Sequence, residues 1–157
     1  MRRKLGFILL ILILAMPLLS FLSACAYTAP FRRVEPVPDN LKTAVVTLSA
    51  VESQPGQRKA FFADTQRVLS SLRNQPGLLG YSFRFQFLGR KAWTMTAWKD
   101  IASRDRFAAS PLHQAAVKNS RFTAQNMRFI TVTLPVSELP MKWTEALSLL
   151  DSAPTYE

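Results

Sequence analysis

Thiols are all but missing from this chain: Cys25 is the only cysteine in 157 residues, so no internal disulfide can form. A free thiol in an oxidising compartment would be a liability unless it were modified. Histidine is as scarce, with His113 alone, and the carboxylates are scattered, so no cluster has the spacing of a metal site. The few glycines never gather into a phosphate-cradling loop, and no serine lies in a motif that would support Ser/His/Asp catalysis. Acid is also in short supply, with 10 Asp and Glu against 20 Lys and Arg, a formal charge of +10. The basic residues, Arg58, Arg67, Arg84, Arg104, Arg121 and Arg128 among them, are dispersed. That pattern describes a solvated basic surface near anionic lipid headgroups, and a nucleic-acid partner is not expected for a chain whose first residues read as an export signal.

What the chain does have is a concentrated apolar run at its start. Arg2, Arg3 and Lys4 form a positive leader, residues 6–22 are apolar apart from Ser20, and Leu22-Ser23-Ala24 precedes Cys25, the layout of a secretory signal ending at a cleavage point. The Leu-Ser-Ala-Cys tetrad resembles the lipobox of bacterial lipoproteins, which implies that Cys25 becomes a diacylglyceryl-modified N-terminus. Two or more acyl chains, at roughly 0.8 kcal/mol per buried methylene, hold such a protein stably on a membrane. The other reading is an uncleaved transmembrane anchor, since about 17 residues is the lower limit of a span. Pro17 inside the run and a cysteine at the lipobox position favour cleavage. Residues 1–24 are thus read as a lipoprotein signal peptide and 42–157 as one domain. Residues 25–41 are read as a tether, on the strength of Pro30, Pro36 and Pro38. The expected location is the cell envelope, and the outer membrane in a Gram-negative cell, because Ala26 lacks the aspartate that retains many lipoproteins at the inner membrane.

The domain reads as strand, helix, strand, strand, helix, strand. Residues 43–51 are rich in β-branched and small apolar types, including Val45, Val46, Thr47 and Val51. After the Ser53-Gln54-Pro55-Gly56 break, with Pro55 suited to a helix's opening turn, Phe61, Phe62, Thr65, Val68, Leu69 and Leu72 recur at three- and four-residue spacing, an amphipathic helix ending before Gln75-Pro76-Gly77. Residues 79–88 alternate, with Leu79, Tyr81, Phe83, Phe85 and Phe87 on one face and Gly80, Ser82, Arg84 and Gln86 on the other. Gly89-Arg90 fits a two-residue hairpin turn that pairs Leu88 with Lys91 and brings residues 91–98 back as the partner strand. Asp100 is placed to cap a second helix, which Ser110-Pro111 interrupts. A last strand over 127–134 and a short terminal helix over 141–151 complete the pattern, the latter burying Trp143, Ala146, Leu147 and Leu150.

This order predicts an α+β fold, a ferredoxin-like βαββαβ sandwich with an antiparallel sheet and helices on one face. The other face, carrying either the aromatic row or Arg84, Trp93 and Met95, is too apolar for open water, and pairing two sheets in a homodimer is the simplest way to cover it. Three stretches in order, Pro76-Gly77-Leu78-Leu79-Gly80-Tyr81, Thr94-Met95-Thr96-Ala97-Trp98-Lys99-Asp100 and Phe107-Ala108-Ala109-Ser110-Pro111-Leu112-His113, resemble the antibiotic biosynthesis monooxygenase-like domains of the dimeric α+β barrel superfamily. The resemblance covers about residues 43–135. It implies a homodimer and two classes of chemistry, cofactor-free oxidation of polycyclic aromatic substrates or haem degradation. Haem-degrading relatives use a histidine and a tryptophan on the second helix. Aligned on Thr-Ala-Trp-Lys those positions fall on Val117 and Phe107, neither of which can do the job, so haem through His113 is left as a minor option.

The residues expected around a pocket are Tyr81, Arg84, Trp93, Met95, Trp98 and His113, since an aromatic lining with one guanidinium and one imidazole suits a planar, electron-rich ligand. Two functions are compatible with them. One is a membrane-tethered oxygenase acting on a hydrophobic aromatic or quinone-type molecule without a bound metal. The other is a non-catalytic lipoprotein that binds a ligand or an envelope partner. Intact mass of the chain purified from membranes is expected to show an N-terminal Cys25 bearing diacylglycerol; a chain beginning at Met1 or Ala26 would remove the lipoprotein reading.

Overall fold

The structure, a computed structural model, describes residues 26–156. The segment read as a signal peptide and Cys25, with the lipidation expected there, lie outside the described residues. The elements in chain order are β1 (Ala26–Thr28), β2 (Arg32–Arg33), β3 (Thr43–Ser53), α1 (Arg58–Leu72), β4 (Leu78–Gln86), β5 (Lys91–Trp98), α2 (Ile101–Ala108), α3 (Pro111–Thr123), β6 (Ala124–Pro135), α4 (Trp143–Ser152) and β7 (Thr155–Tyr156). All strand pairs are antiparallel, in the order β1-β4-β5-β3-β6-β7, with β2 also on β4. From β3 to β6 this is the ferredoxin-like α+β sandwich that the pattern predicts.

Strand β3 lies at the centre and sorts the core by alternation. Ala44, Val46 and Leu48 point to one face, where they pack with Met95, Ala97 and Leu134; Val45 points to the other, where it meets Leu72, Trp98 and Phe107. Helix α1 lies on that second face through Phe61 and Leu72, its buried positions. The second helical segment divides as its sequence suggests. Asp100 caps α2, its carboxylate accepting from the Ser103 N–H at 2.6 Å, and hydrogen bonds from Ser103, side chain first and then backbone, hold that carboxyl below its ordinary value. Ser110 caps α3 with Pro111 in its first turn, which sets His113 one turn in.

Four expectations change. The hairpin loop has four residues, 87–90, so Phe85 pairs with Ala92 and Phe83 with Thr94, two places from the register of a two-residue turn. A shift of two preserves the side-chain faces. Its cause is Arg58, which donates to Phe87 O at 2.7 Å and to Gly89 O at 2.9 Å and so satisfies loop carbonyls that no ladder partner reaches. Pro55 stands in the turn before α1, outside the helix.

The segment read as a tether is built into the sheet: Ala26 pairs with Gln86 and Arg32 with Tyr81, and the Ser82 hydroxyl donates to Ala29 O at 2.7 Å. Gly80 permits this, because a Cβ there would strike the Phe31 ring and Arg32 O. Prolines break regular structure without preventing a chain from following an edge between them.

Finally, the face expected to be bare is covered by the same chain. Met141, Ala146 and Leu150, with Trp143 and Leu149, close over Ala44, Val46, Leu48 and Met95, and Phe31, Val37 and Leu41 fill the margin. Trp143 Nε1 donates to Ser82 Oγ at 3.1 Å. No second copy is needed to bury this face, and a homodimer of the kind the resemblance implies would have to displace α4 or meet elsewhere. Leu150→Ala is expected to cost about 2–5 kcal/mol in urea unfolding, against a change within about 0.5 kcal/mol for the exposed Leu112→Ala. Equal small losses would mean that α4 does not lie on the sheet.

Candidate functional site

The helix-bearing face does not close completely on the sheet. Between them lies a cavity of about 370 Å³, floored by β3, β5 and β6 and roofed by α1, α2 and α3. The floor is polar where a core would be aliphatic. Thr47, Ser49, Thr94, Thr96 and Thr131 share this face because alternate residues of three neighbouring strands do. Two pairs of hydroxyls meet across strands, Ser49 Oγ 2.6 Å from Thr94 Oγ1 and Thr47 Oγ1 3.2 Å from Thr131 Oγ1, and within β5 Trp98 Nε1 donates to Thr96 Oγ1 at 2.9 Å. Such hydroxyls can rotate to donate to or accept from a ligand.

The roof supplies Phe61, Val68 and Ala116, and at one end an aromatic stack. The Phe107 ring centroid lies 5.3 Å from Trp98 and 5.0 Å from His113. His113 Nδ1 is 3.1 Å from Ala108 O. A carbonyl only accepts, so Nδ1 carries the proton, and in the neutral ring Nε2 is left as an acceptor. Burial pushes the His113 pKa down, partly offset by the bond to Ala108. The ring is therefore held neutral, as a base requires. Asp64 and Arg104 also border the cavity, but Asp64 is engaged by Arg67 and Asn119 and Arg104 lies 3.1 Å from Asp105.

Of the six residues expected around a pocket, Trp98 and His113 line this cavity and four do not. Tyr81 is on the helix side of the sheet but is buried beside Val45 and Leu72, near the N-terminal segment. Arg84 and Trp93 are on the opposite face, the guanidinium 5.7 Å from the indole centroid. Met95 is core beneath α4. Strand alternation divides the set: the even position Arg84 of β4 and the odd positions Trp93 and Met95 of β5 share the wrong face. The hydroxyl floor was missed although the same alternation, applied to Thr47, Ser49, Thr94 and Thr96, could have found it. Val117 and Phe107, the positions matched to haem chemistry, do border the cavity, and neither has a ligating atom. Among the described residues, no group of three or more His, Cys, Asp or Glu is placed to hold a metal.

The pH dependence of folding should report on His113. Below the ordinary histidine value of 6.5, the unfolded chain binds a proton that the folded ring resists, so stability falls as the pH drops through and below that value. It is fully present above it. Urea midpoints measured from neutral to mildly acid buffer are expected to decline for the native chain and to decline less for His113→Gln. Parallel curves would mean that the imidazole is not buried as described.

Comparison with known proteins agrees with this architecture. Residues 44–119 match the family model described as antibiotic biosynthesis monooxygenase. Among solved structures, a Pseudomonas aeruginosa protein superposes with a TM-score of 0.55 at 15% identity, covering 59% of this chain and 95% of its own. A Shewanella oneidensis protein gives 0.54 at 16%, covering 67% and 97%. A Nitrosomonas europaea protein of unknown function gives 0.54 at 18%, covering 66% and 100%. No curated protein matches the sequence. At these identities the superpositions speak to fold alone, and with the family match they establish that residues 44–119 of this chain form an antibiotic biosynthesis monooxygenase-like domain.

Proposed function

We propose that this chain is a membrane-anchored oxygenase that oxidises a hydrophobic aromatic or quinone-type molecule in the cavity between sheet and helices, without a bound metal. The observation that carries the reading is the composition of that cavity: apolar walls, a hydroxyl floor and one neutral imidazole at the end of an aromatic stack. Pockets of this size and make-up bind planar organic ligands, with a few polar groups setting orientation. The floor hydroxyls would hold the ligand's oxygen atoms, and His113 Nε2 would take a phenolic or benzylic proton as general base.

Loss of that proton leaves an electron-rich anion able to reduce dioxygen itself. In the overall reaction the ring CH2 and one O2 become a ring C=O and one water, so one oxygen atom stays on carbon and the other leaves with both hydrogens. Oxidant and reductant are then the two substrates, and the protein contributes position and a base.

The test is to incubate the full chain with a polycyclic phenol whose keto tautomer presents a ring CH2 under 18O2 and follow oxygen uptake and product mass. One 18O per product is expected, with kcat lowered about 10²-fold or more in His113→Gln and binding lost in Ala116→Phe, which fills the cavity. Saturable binding with no oxygen uptake would favour the non-catalytic ligand-binding lipoprotein. Absence of binding that Ala116→Phe can alter would remove the cavity from either account.

A further inference from the structure

One end of the sheet differs from the rest of the surface. Ala26 pairs with Gln86 there, so the chain enters the fold beside the β4–β5 loop. In the same row of the sheet Glu52 pairs with Lys91 and Ser53 with Ala124, which brings the β3–α1 turn and the C-terminus of α3 to this end too. Of the large apolar side chains among the described residues, the three most exposed are Phe122 at 72%, Phe87 at 66% and Leu88 at 62%, and all three are here. Exposed cations accompany them: Arg58 and Lys59 at the start of α1, Lys91 in β5 and Arg121 in α3. Glu52, the acid in this row, is paired with Arg90.

The loop is also fixed in place. Arg58 bonds Phe87 O and Gly89 O, so Phe87 and Leu88 are presented on a braced turn. Exposed aromatic and aliphatic tips ringed by cations suit the boundary between acyl chains and anionic headgroups. Cys25, the residue expected to carry the acyl chains once residues 1–24 are removed, immediately precedes Ala26, so the anchor delivers a bilayer to this end and to no other.

We infer that the Phe87-Leu88 loop, with Phe122 and the surrounding cations, is a membrane-docking surface that seats the domain directly on an anionic bilayer in a fixed orientation. The inference rests on the membrane-anchored reading above, and it adds that no flexible spacer separates anchor from fold. A lipid anchor alone would leave the body free to tumble; the docking end removes that freedom. The domain then stands with its sheet strands leading away from the lipid.

The test uses the mature chain as purified from membranes, reconstituted in phosphatidylcholine–phosphatidylglycerol vesicles containing lipid brominated along the acyl chains. Phe87→Trp reports at the proposed contact, and Ile101→Trp reports at the opposite end of the sheet, each read as the emission added to the unmodified chain. The Phe87→Trp signal is expected to be quenched at least about twofold and the Ile101→Trp signal to be unaffected; replacing phosphatidylglycerol by phosphatidylcholine should weaken the quenching. Flotation of the same vesicles reports the anchor separately. Protein that floats with an unquenched tryptophan at 87 keeps its anchor and overturns the docking. Protein that does not float and is not quenched overturns both. A concentration-dependent blue shift at position 87 in detergent, without bromolipid quenching in vesicles, gives the surface to a second copy of the chain and overturns the proposal.

Discussion

Alternation along β3 governs most of this molecule. The strand is paired on both sides, by β5 and by β6, so each of its side chains must serve one of two faces with no third choice. Ala44, Val46 and Leu48 make one face greasy enough to require a cover, and the chain provides α4. Thr47 and Ser49 make the other face polar at its centre, which keeps the helices there from sealing onto the sheet and leaves the cavity. The same two-residue period thus builds a closed core on one side and a hollow on the other. A solid aliphatic floor at Thr47, Ser49, Thr94 and Thr96 would have favoured tighter helix packing and no room for a ligand.

Much of the fold was legible because its signals were local. The stripe from Phe61 to Leu72, the alternation from Tyr81 to Gln86, the cap at Asp100 and the break at Ser110-Pro111 each follow from residues within a few positions of one another, whereas a bulge between Leu78 and Gly80 turns Leu79 to the face opposite Tyr81. What escaped depended on distant partners. The four-residue hairpin loop is held by Arg58, nearly thirty residues upstream, and nothing inside the loop announces that. The docking of residues 26–41 on β4 rests on Gly80 and Ser82, which read locally as strand residues of small size. The terminal helix was foreseen with its buried side, but the face that received it was assigned instead to a second copy.

The candidate site divides in the same way. His113 and Trp98 were found because they are rare, chemically distinctive residues near a helix break and a strand end. Arg84, Trp93 and Met95 were chosen on the same grounds, and residue type could not tell which side of the sheet they would face. The hydroxyls of the floor carried no such distinction singly. Their meaning comes from adjacency across three strands, where Ser49 meets Thr94 and Thr47 meets Thr131. A lone threonine or serine in a strand is ordinary β chemistry, whereas four threonines and a serine on one face beneath a hollow make a polar surface.

The two lateral margins of the sheet are unequal. Along β4 the outer backbone groups are taken from end to end by the chain's own first residues: Tyr27 pairs with Phe85, Ala29 N bonds Phe83 O, Arg32 pairs with Tyr81, and Val34 N bonds Leu79 O. Among the described residues, only Met127 and Arg128 of β6 have a partner on the outer side, through β7, and the β-branched stretch from Phe129 to Leu134 has none there. An open ladder invites another strand, which in many proteins is the route to fibrillar stacking. Here one margin is already spent, and edge-to-edge joining must stop at two copies related by a twofold axis, because each copy has nothing left to offer a third.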